Sequence, residues 1–312
     1  MQPKKVYKYR DFSLLTVDSL CHDKMFFSDP AAFNDPLDCL PTVEADSTPE
    51  ELRILLSELI TRRIFTKSIS LLNKTNIQGK SAEKHASNLA YRAASDELKN
   101  ISYHSTNPEY DCSQKEAERW LLTLEIESEL LKRYDKGVCC FSSVYKNPLL
   151  WSHYADQHRG MCIGYDLIRN PEPCIHKVIY GGSRIVKTSL IMKAVIDRDP
   201  EANEILDQNI LLKKASQWRY EREWRLLDQR GLLDSPLRLR EITFGMKCPE
   251  SVKHSIISAL ESRNDSINFY EMHEIRGSFK LKRKEVDTGE IQAFIPKVAC
   301  SAIEMFGDID EA

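Results

Sequence analysis

Residues 48–135 follow a different periodicity from the segments on either side, and that contrast narrows the folds open to the chain. Thr48-Pro49-Glu50-Glu51 is a helix start, with proline in the first turn and acids at the positive end of the helix dipole. Leu52, Leu55, Leu56, Leu59 and Ile60 then recur at helical spacing. Further helices are predicted over 81–99 and 113–134, the second opened by a capping box from Ser113 to Glu116 and striped by Trp120, Leu121, Leu124 and Leu131. Outside this block, short strands are predicted at 6–12, 25–28, 137–144, 160–167, 174–180, 237–244, 267–275 and 278–286. Helices are predicted at 14–23, 148–157, 249–263 and, with a break near Asp199-Pro200, 187–217. Strands and helices of matched length do not alternate, so the pattern predicts an α+β fold rather than a doubly wound parallel sheet. The organisation that follows is an α+β core from 1–47 and 136–300, a helical insertion at 48–135 and a frayed tail at 301–312.

Composition bounds the function classes. With 42% apolar and 29% charged residues the chain reads as an ordinary globular protein. It has no run of eighteen apolar residues, and its first residues lack the apolar core of a secretory signal, so a cytoplasmic protein without membrane attachment is expected. A net charge of −3 provides no global attraction to nucleic acid. The densest basic run, Lys280, Lys282, Arg283 and Lys284, reads as a solvated strand edge. Nine cysteines occur without a Cys-x-x-Cys pair, which points to free thiols and no structural metal. Two common phosphate-binding loops, G-x-G-x-x-G and G-x-x-x-x-G-K-[ST], are absent.

The run Trp218-Arg219-Tyr220-Glu221-Arg222-Glu223-Trp224-Arg225-Leu226-Leu227 concentrates chemistry. As a strand it would place Glu221, Glu223 and Arg225 on one face, with Arg222, Trp224 and Leu226 on the other. Two carboxylates held so close cost free energy unless a cation, a ligand hydroxyl or a raised pKa relieves them. The same three residues also fit a solvated face with a weak surface ion pair. Other candidates are spread along the chain. Tyr9-Arg10 on the first strand offers a guanidinium for a phosphate or carboxylate, against the plainer reading of an edge-strand arginine. The loop 29–38, with Asn34 among two prolines and several acids, has the irregular path that positions ligands. Ser142 and Ser143 end an otherwise apolar strand. Trp151 and Tyr154, one helical turn apart, are spaced to sandwich a base or to fill a core, and His153 lies between them as an acid–base candidate.

Four motifs in this order, VYKYR, FFSDPAAFNDPLDC, CFSSVYKNPLLWSHYADQHRGMCIGYDL and WRYEREWRLL, resemble domain-of-unknown-function family 2971. That is a bacterial group with members near phage-defence and mobile-element genes, so the resemblance implies a role in phage defence such as abortive infection. The order arginine, serine, Glu-x-Glu also resembles, more distantly, the Arg-Ser-Glu class of ADP-ribosyltransferases. That likeness implies a mixed or antiparallel sheet of ADP-ribosyltransferase type and NAD as substrate. Residue by residue, Arg10 would grip the dinucleotide phosphates and Ser142 or Ser143 would brace the site. Glu223 would bond the nicotinamide-side ribose, and Glu221 would assist the acceptor. Tyr9, Trp151 or Tyr154 would stack the nicotinamide, and Asn34, Ser143 and His153 would complete the cofactor contacts. The sequence departs from the full Ser-Thr-Ser pattern, with Ser142-Ser143-Val144 in its place, and its helical block is larger than a minimal version of that fold needs. The acceptor, a protein, a nucleic acid or water, is left open.

Two rival readings stand beside this one. Asp35, Asp38, Glu221 and Glu223 would surround magnesium in a metal-dependent nuclease, although no lysine adjoins the Glu-x-Glu pair. A non-catalytic sensor would instead dock a partner protein through 48–135, with Glu221 and Glu223 paired to Arg10, Arg159 or Arg225.

Overall fold

A computed structural model describes residues 2–301 apart from 135 and 296, together with residue 304. Of the tail expected at 301–312, everything but Ser301 and Glu304 lies outside the described residues. In chain order the elements are β1 (Lys5–Arg10), α1 (Leu14–Cys21), β2 (Lys24–Phe27), β3 (Thr42–Glu44), α2 (Pro49–Lys74), α3 (Lys80–His104), α4 (Gln114–Arg133), β4 (Gly137–Ser142), α5 (Pro148–Tyr154) and β5 (Met161–Asp166). They continue with β6 (His176–Lys177), β7 (Ile179–Tyr180), β8 (Ile185–Lys187), α6 (Thr188–Val195), α7 (Pro200–Leu211), β9 (Lys213–Lys214), β10 (Glu223–Asp228), β11 (Gly231–Asp234), β12 (Arg238–Phe244), α8 (Glu250–Leu260), β13 (Asn268–Glu274), β14 (Leu281–Glu285) and α9 (Thr288–Phe294).

The protein is α+β, built on an eight-stranded mixed sheet of order β14-β13-β12-β5-β1-β4-β10-β6. All neighbouring strands run antiparallel except β12 and β13, which are parallel and joined through α8. The register is uneven at the centre. β1 pairs with β5 along its full length, from Lys5 opposite Asp166 to Arg10 opposite Met161. On its other side β1 meets β4 at a single position, Tyr7 opposite Ser142. Beyond that point the strands part. Lys8 spans the gap with an Nζ–Cys140 O bond of 3.0 Å, and Ser28 pairs with Val138 farther along β4.

Two large cores flank this arrangement. One lies on the sheet, where Val6, Phe141, Ile163, Leu226, Leu239 and Ile242 pack against Ile256 and Ile257 of α8. The other is helical, and α2–α4 do not close it alone. Leu52, Leu55, Leu59, Leu122 and Ile126 share it with Ile191 and Val195 of α6 and Leu206 and Ile210 of α7. Capping boxes at Thr48–Glu51 and Ser113–Glu116 start α2 and α4.

The helix expected over 187–217 is two helices followed by a short strand. Asp199 caps α7, accepting from the backbone N–H groups of Glu201 and Ala202, and Pro200 occupies its first turn. The chain then extends at Lys213-Lys214, where β9 pairs with β7. Among the described residues no helix is long and apolar enough to cross a membrane.

Candidate functional site

Where β1 and β4 separate, a cavity of about 430 Å³ opens between them. Lys8, Tyr9 and Arg10 line one wall, and Val138, Cys140 and Ser142 another. The loop 29–38 supplies Ala32, Phe33, Asn34 and Asp38, while Tyr154, Lys214, Glu221 and Glu223 face in from the far side. Arg10 is fixed by a backbone contact that only glycine permits. A Cβ at Gly160 would fall 2.2 Å from the Arg10 carbonyl oxygen.

Glu221 and Glu223 converge, though not by the alternation of a strand. Glu221 ends a 3-10 turn, Ser216–Glu221, and Arg222 adopts a left-handed conformation (φ 48, ψ 50) before β10 begins at Glu223. Such a conformation in a non-glycine residue costs on the order of 1–3 kcal/mol. Here it turns both carboxylates onto one cation: Lys214 Nζ lies 2.6 Å from Glu221, 2.9 Å from Glu223 and 3.4 Å from Asp38. Arg225, fully buried, bonds Glu223 through Nε at 2.7 Å and Asp38 through Nη2 at 2.7 Å. Its Nη1 donates to the Leu211 carbonyl at the end of α7, where the helix dipole is negative. The Cys39 thiol, pushed up to about 12 by burial, sits 3.1 Å from the same nitrogen.

Three carboxylates thus face two cations, and the imbalance falls on one of them. Burial works against the charge of Glu223, but Arg225 and Lys214 outweigh it and hold this carboxyl at about 2. Glu221 shifts the other way. Burial raises it, Lys214 offsets this in part, and the charge of Glu223 adds to the rise. Burial likewise works against the Lys214 ammonium, yet Glu223, Glu221 and Asp38 raise its pKa. Glu221 also accepts a 2.7 Å hydrogen bond from the Tyr154 hydroxyl, which is itself 3.3 Å from Asn34 Nδ2. The two neighbouring carboxyls are therefore shifted in opposite directions, Glu223 down and Glu221 up.

Of the residues singled out from the sequence, Tyr9, Arg10, Asn34, Ser142, Tyr154, Glu221 and Glu223 line the cavity. Trp151, Ser143 and His153 do not. Trp151 is 0% exposed, with its indole N–H on the Tyr145 carbonyl and Tyr9 packed edge-on at 5.3 Å, so no sandwich with Tyr154 forms. Ser143 is tied through its amide and hydroxyl to the Arg222 carbonyl. His153 is exposed and packs against Tyr154 and Tyr220. The Ser142 hydroxyl donates to the Glu221 carbonyl at 2.5 Å and accepts from the Val144 amide, so it braces the turn carrying Glu221.

Lys214 escapes a reading of the sequence because it lies in the helix expected over 187–217. The local hint is that the apolar run Ile210-Leu211-Leu212 stops at Lys213-Lys214. The lysine expected to be missing beside Glu-x-Glu is thus present in space. For the magnesium arrangement, Lys214 already supplies the cation among Asp38, Glu221 and Glu223, while Asp35 accepts from Trp218 Nε1 at 2.7 Å. Among the described residues no group of three or more His, Cys, Asp or Glu side chains is arranged to hold a metal ion.

A family model described as protein of unknown function (DUF2971) matches residues 150–226. The match takes in Tyr154, Lys214, Glu221, Glu223 and Arg225 but not β1 or β4, and so is narrower than the likeness drawn from the four motifs. No curated protein and no solved structure matches the chain.

Proposed function

We propose that the cavity binds NAD and that the protein cleaves its bond between ribose and nicotinamide, passing the ADP-ribosyl group to an acceptor nucleophile or to water. The observation that carries this reading is the pairing of Arg10 with two carboxylates of opposite pKa shift around one cavity. Breaking the glycosidic bond sends its electron pair out with nicotinamide and leaves an oxocarbenium-like ribose carbon. Glu223, held ionised, stabilises that positive charge more than it stabilises the ground state. The acceptor oxygen or nitrogen then bonds to the same carbon, and its proton passes to Glu221, whose raised pKa suits it to take one. Lys8 and Arg10 supply positive charge for the pyrophosphate, and Phe33, Tyr7 and Tyr9 offer apolar surface for a ring.

Nicotinamide release by the purified protein tests the proposal. Glu221→Gln is expected to lower turnover by about 10²–10⁴-fold with little change in NAD affinity. Arg10→Ala is expected to weaken NAD binding. Absence of both NAD binding by calorimetry and nicotinamide release would overturn the reading.

One observation favours a second reading, a binding module without turnover. Both oxygens of Glu223 are already in ion pairs, and the Ser142 hydroxyl is spent on the backbone. Tight NAD binding without release of nicotinamide would select it.

A further inference from the structure

The strand register places a row of cations along one end of the sheet. Arg10 ends β1 opposite Met161, Met161 is opposite Phe244, and Phe244 is opposite Glu271, so these four mark a line across four strands. Past that line at the same end lie Arg159, just before β5, Lys247, just after β12, and the turn between β13 and β14. The turn adds Arg276 and Lys280, and Lys282 follows opposite His273. Lys247 is tied into this end of the sheet by its amide, which bonds the His158 carbonyl at 2.9 Å. Among the described residues Lys247, Arg276, Lys280 and Lys282 make no ion pair. At the tip Phe279 is 99% exposed.

The carboxylates at this end are fewer, and two of the four are held. Asp156 faces Arg159 at 3.6 Å, and Glu271 is bonded by Lys253 at 2.7 Å. Asp11 and Glu274 are exposed. Arg283 of the same basic run takes no part. Its guanidinium is stacked between Tyr145 and Tyr270 and bonded to Glu241.

We infer that this rim is a binding site for single-stranded nucleic acid, running from Arg10 at the cavity to Phe279 at the hairpin tip. Its length suits a strand. From β1 to β14 there are four inter-strand steps of about 4.8 Å, roughly 19 Å in all, long enough to meet several phosphates of an unpaired strand. An aromatic ring in open solvent beside such cations is a platform for an unpaired base, whose face a duplex conceals. The inference does not depend on NAD chemistry in the cavity.

Fluorescence anisotropy with the full chain and a labelled twelve-nucleotide single strand tests it. Binding is expected to fall by roughly 10²-fold between 50 and 200 mM salt, as about five phosphate contacts on a single strand require. Lys247→Glu combined with Lys282→Glu should weaken it by about tenfold or more and make the salt dependence shallower. Phe279→Ala, at a fully exposed position, should weaken it about tenfold. Lys84→Glu on α3 should leave it unchanged. Three results would overturn the assignment: no binding at 50 mM salt, tighter binding of the matching duplex, or equal losses in Lys84→Glu and Lys282→Glu. Indifference to Phe279→Ala, with an inorganic polyphosphate competing as well as the oligonucleotide, would also overturn it.

Discussion

Two buried glutamate clusters flank β1, and they differ in what surrounds the charge. Glu241, 1% exposed, has two cations to itself, Lys5 at 2.7 Å and Arg283 at 2.5 Å. Burial opposes its ionisation, but Arg283 and Lys5 win and hold it below the usual carboxylate range. It lies over the fully paired β1–β5 ladder, where a Cβ at Gly164 would come within 2.4 Å of its Cγ, so no room is left for a ligand. The Glu221–Glu223 cluster lies beyond the single β1–β4 pair, has three carboxylates for two cations, and borders a cavity. Excess cation with close packing makes a brace. Excess anion with open space makes a group that can exchange a proton.

The sharpest way to break this comparison is to remove the arginine from each cluster. Arg225→Met leaves Glu223 and Asp38 with Lys214 alone in a buried setting, and a loss of roughly 3–5 kcal/mol in urea unfolding is expected. Arg283→Met leaves Glu241 with Lys5 at a half-exposed position, and a smaller loss of about 1–3 kcal/mol is expected. Equal losses would show that the clusters do the same job.

The pH dependence of the two clusters should have opposite sign. Glu241, depressed in the folded state, contributes stability that is present above its unfolded pKa and is lost as pH falls through the folded value. Glu221, raised in the folded state, contributes stability that is present below its unfolded pKa and is lost as pH rises through the folded value. Glu241→Gln should therefore cost most near neutral pH, about 2 kcal/mol, and less in acid. Glu221→Gln should gain on the parent as pH rises from about 4 towards 7. Urea midpoints at three pH values would check both slopes.

The smallest expected effect is that of Tyr154→Phe. It removes one hydroxyl bond to Glu221, worth about 1 kcal/mol. Because that bond holds the Glu221 pKa down, the variant should, on the proposed NAD chemistry, move the rise in nicotinamide release to higher pH. An unshifted profile would separate Tyr154 from the titrating group.

Much of this was legible in the sequence where local signals act alone. Thr48, Ser113 and Asp199-Pro200 mark their helices by chemistry within four residues. The Glu-x-Glu-x-Arg run announced an electrostatic problem without giving its solution. Strand alternation explains Glu223 and Arg225 sharing a partner set, but not Glu221, because Arg222 leaves the extended region. Lys214 and Asp38 reach the carboxylates only through tertiary folding, which no short-range pattern encodes. The Trp151–Tyr154 spacing fits a sandwich or a core equally, and packing against Tyr9 takes Trp151 into the core while Tyr154 stays at the cavity.

The helical core has a mechanical consequence. α7 packs in one hydrophobic unit with α2 and α4, and its last carbonyl anchors Arg225. Three residues after that carbonyl comes the ammonium that neutralises Glu221. A shift of α7 within that unit would thus reach the carboxylates through the Leu211–Lys214 link. Any movement of that link that lengthened the Lys214 contacts would raise the Glu221 pKa further, because Lys214 is the group that lowers it most.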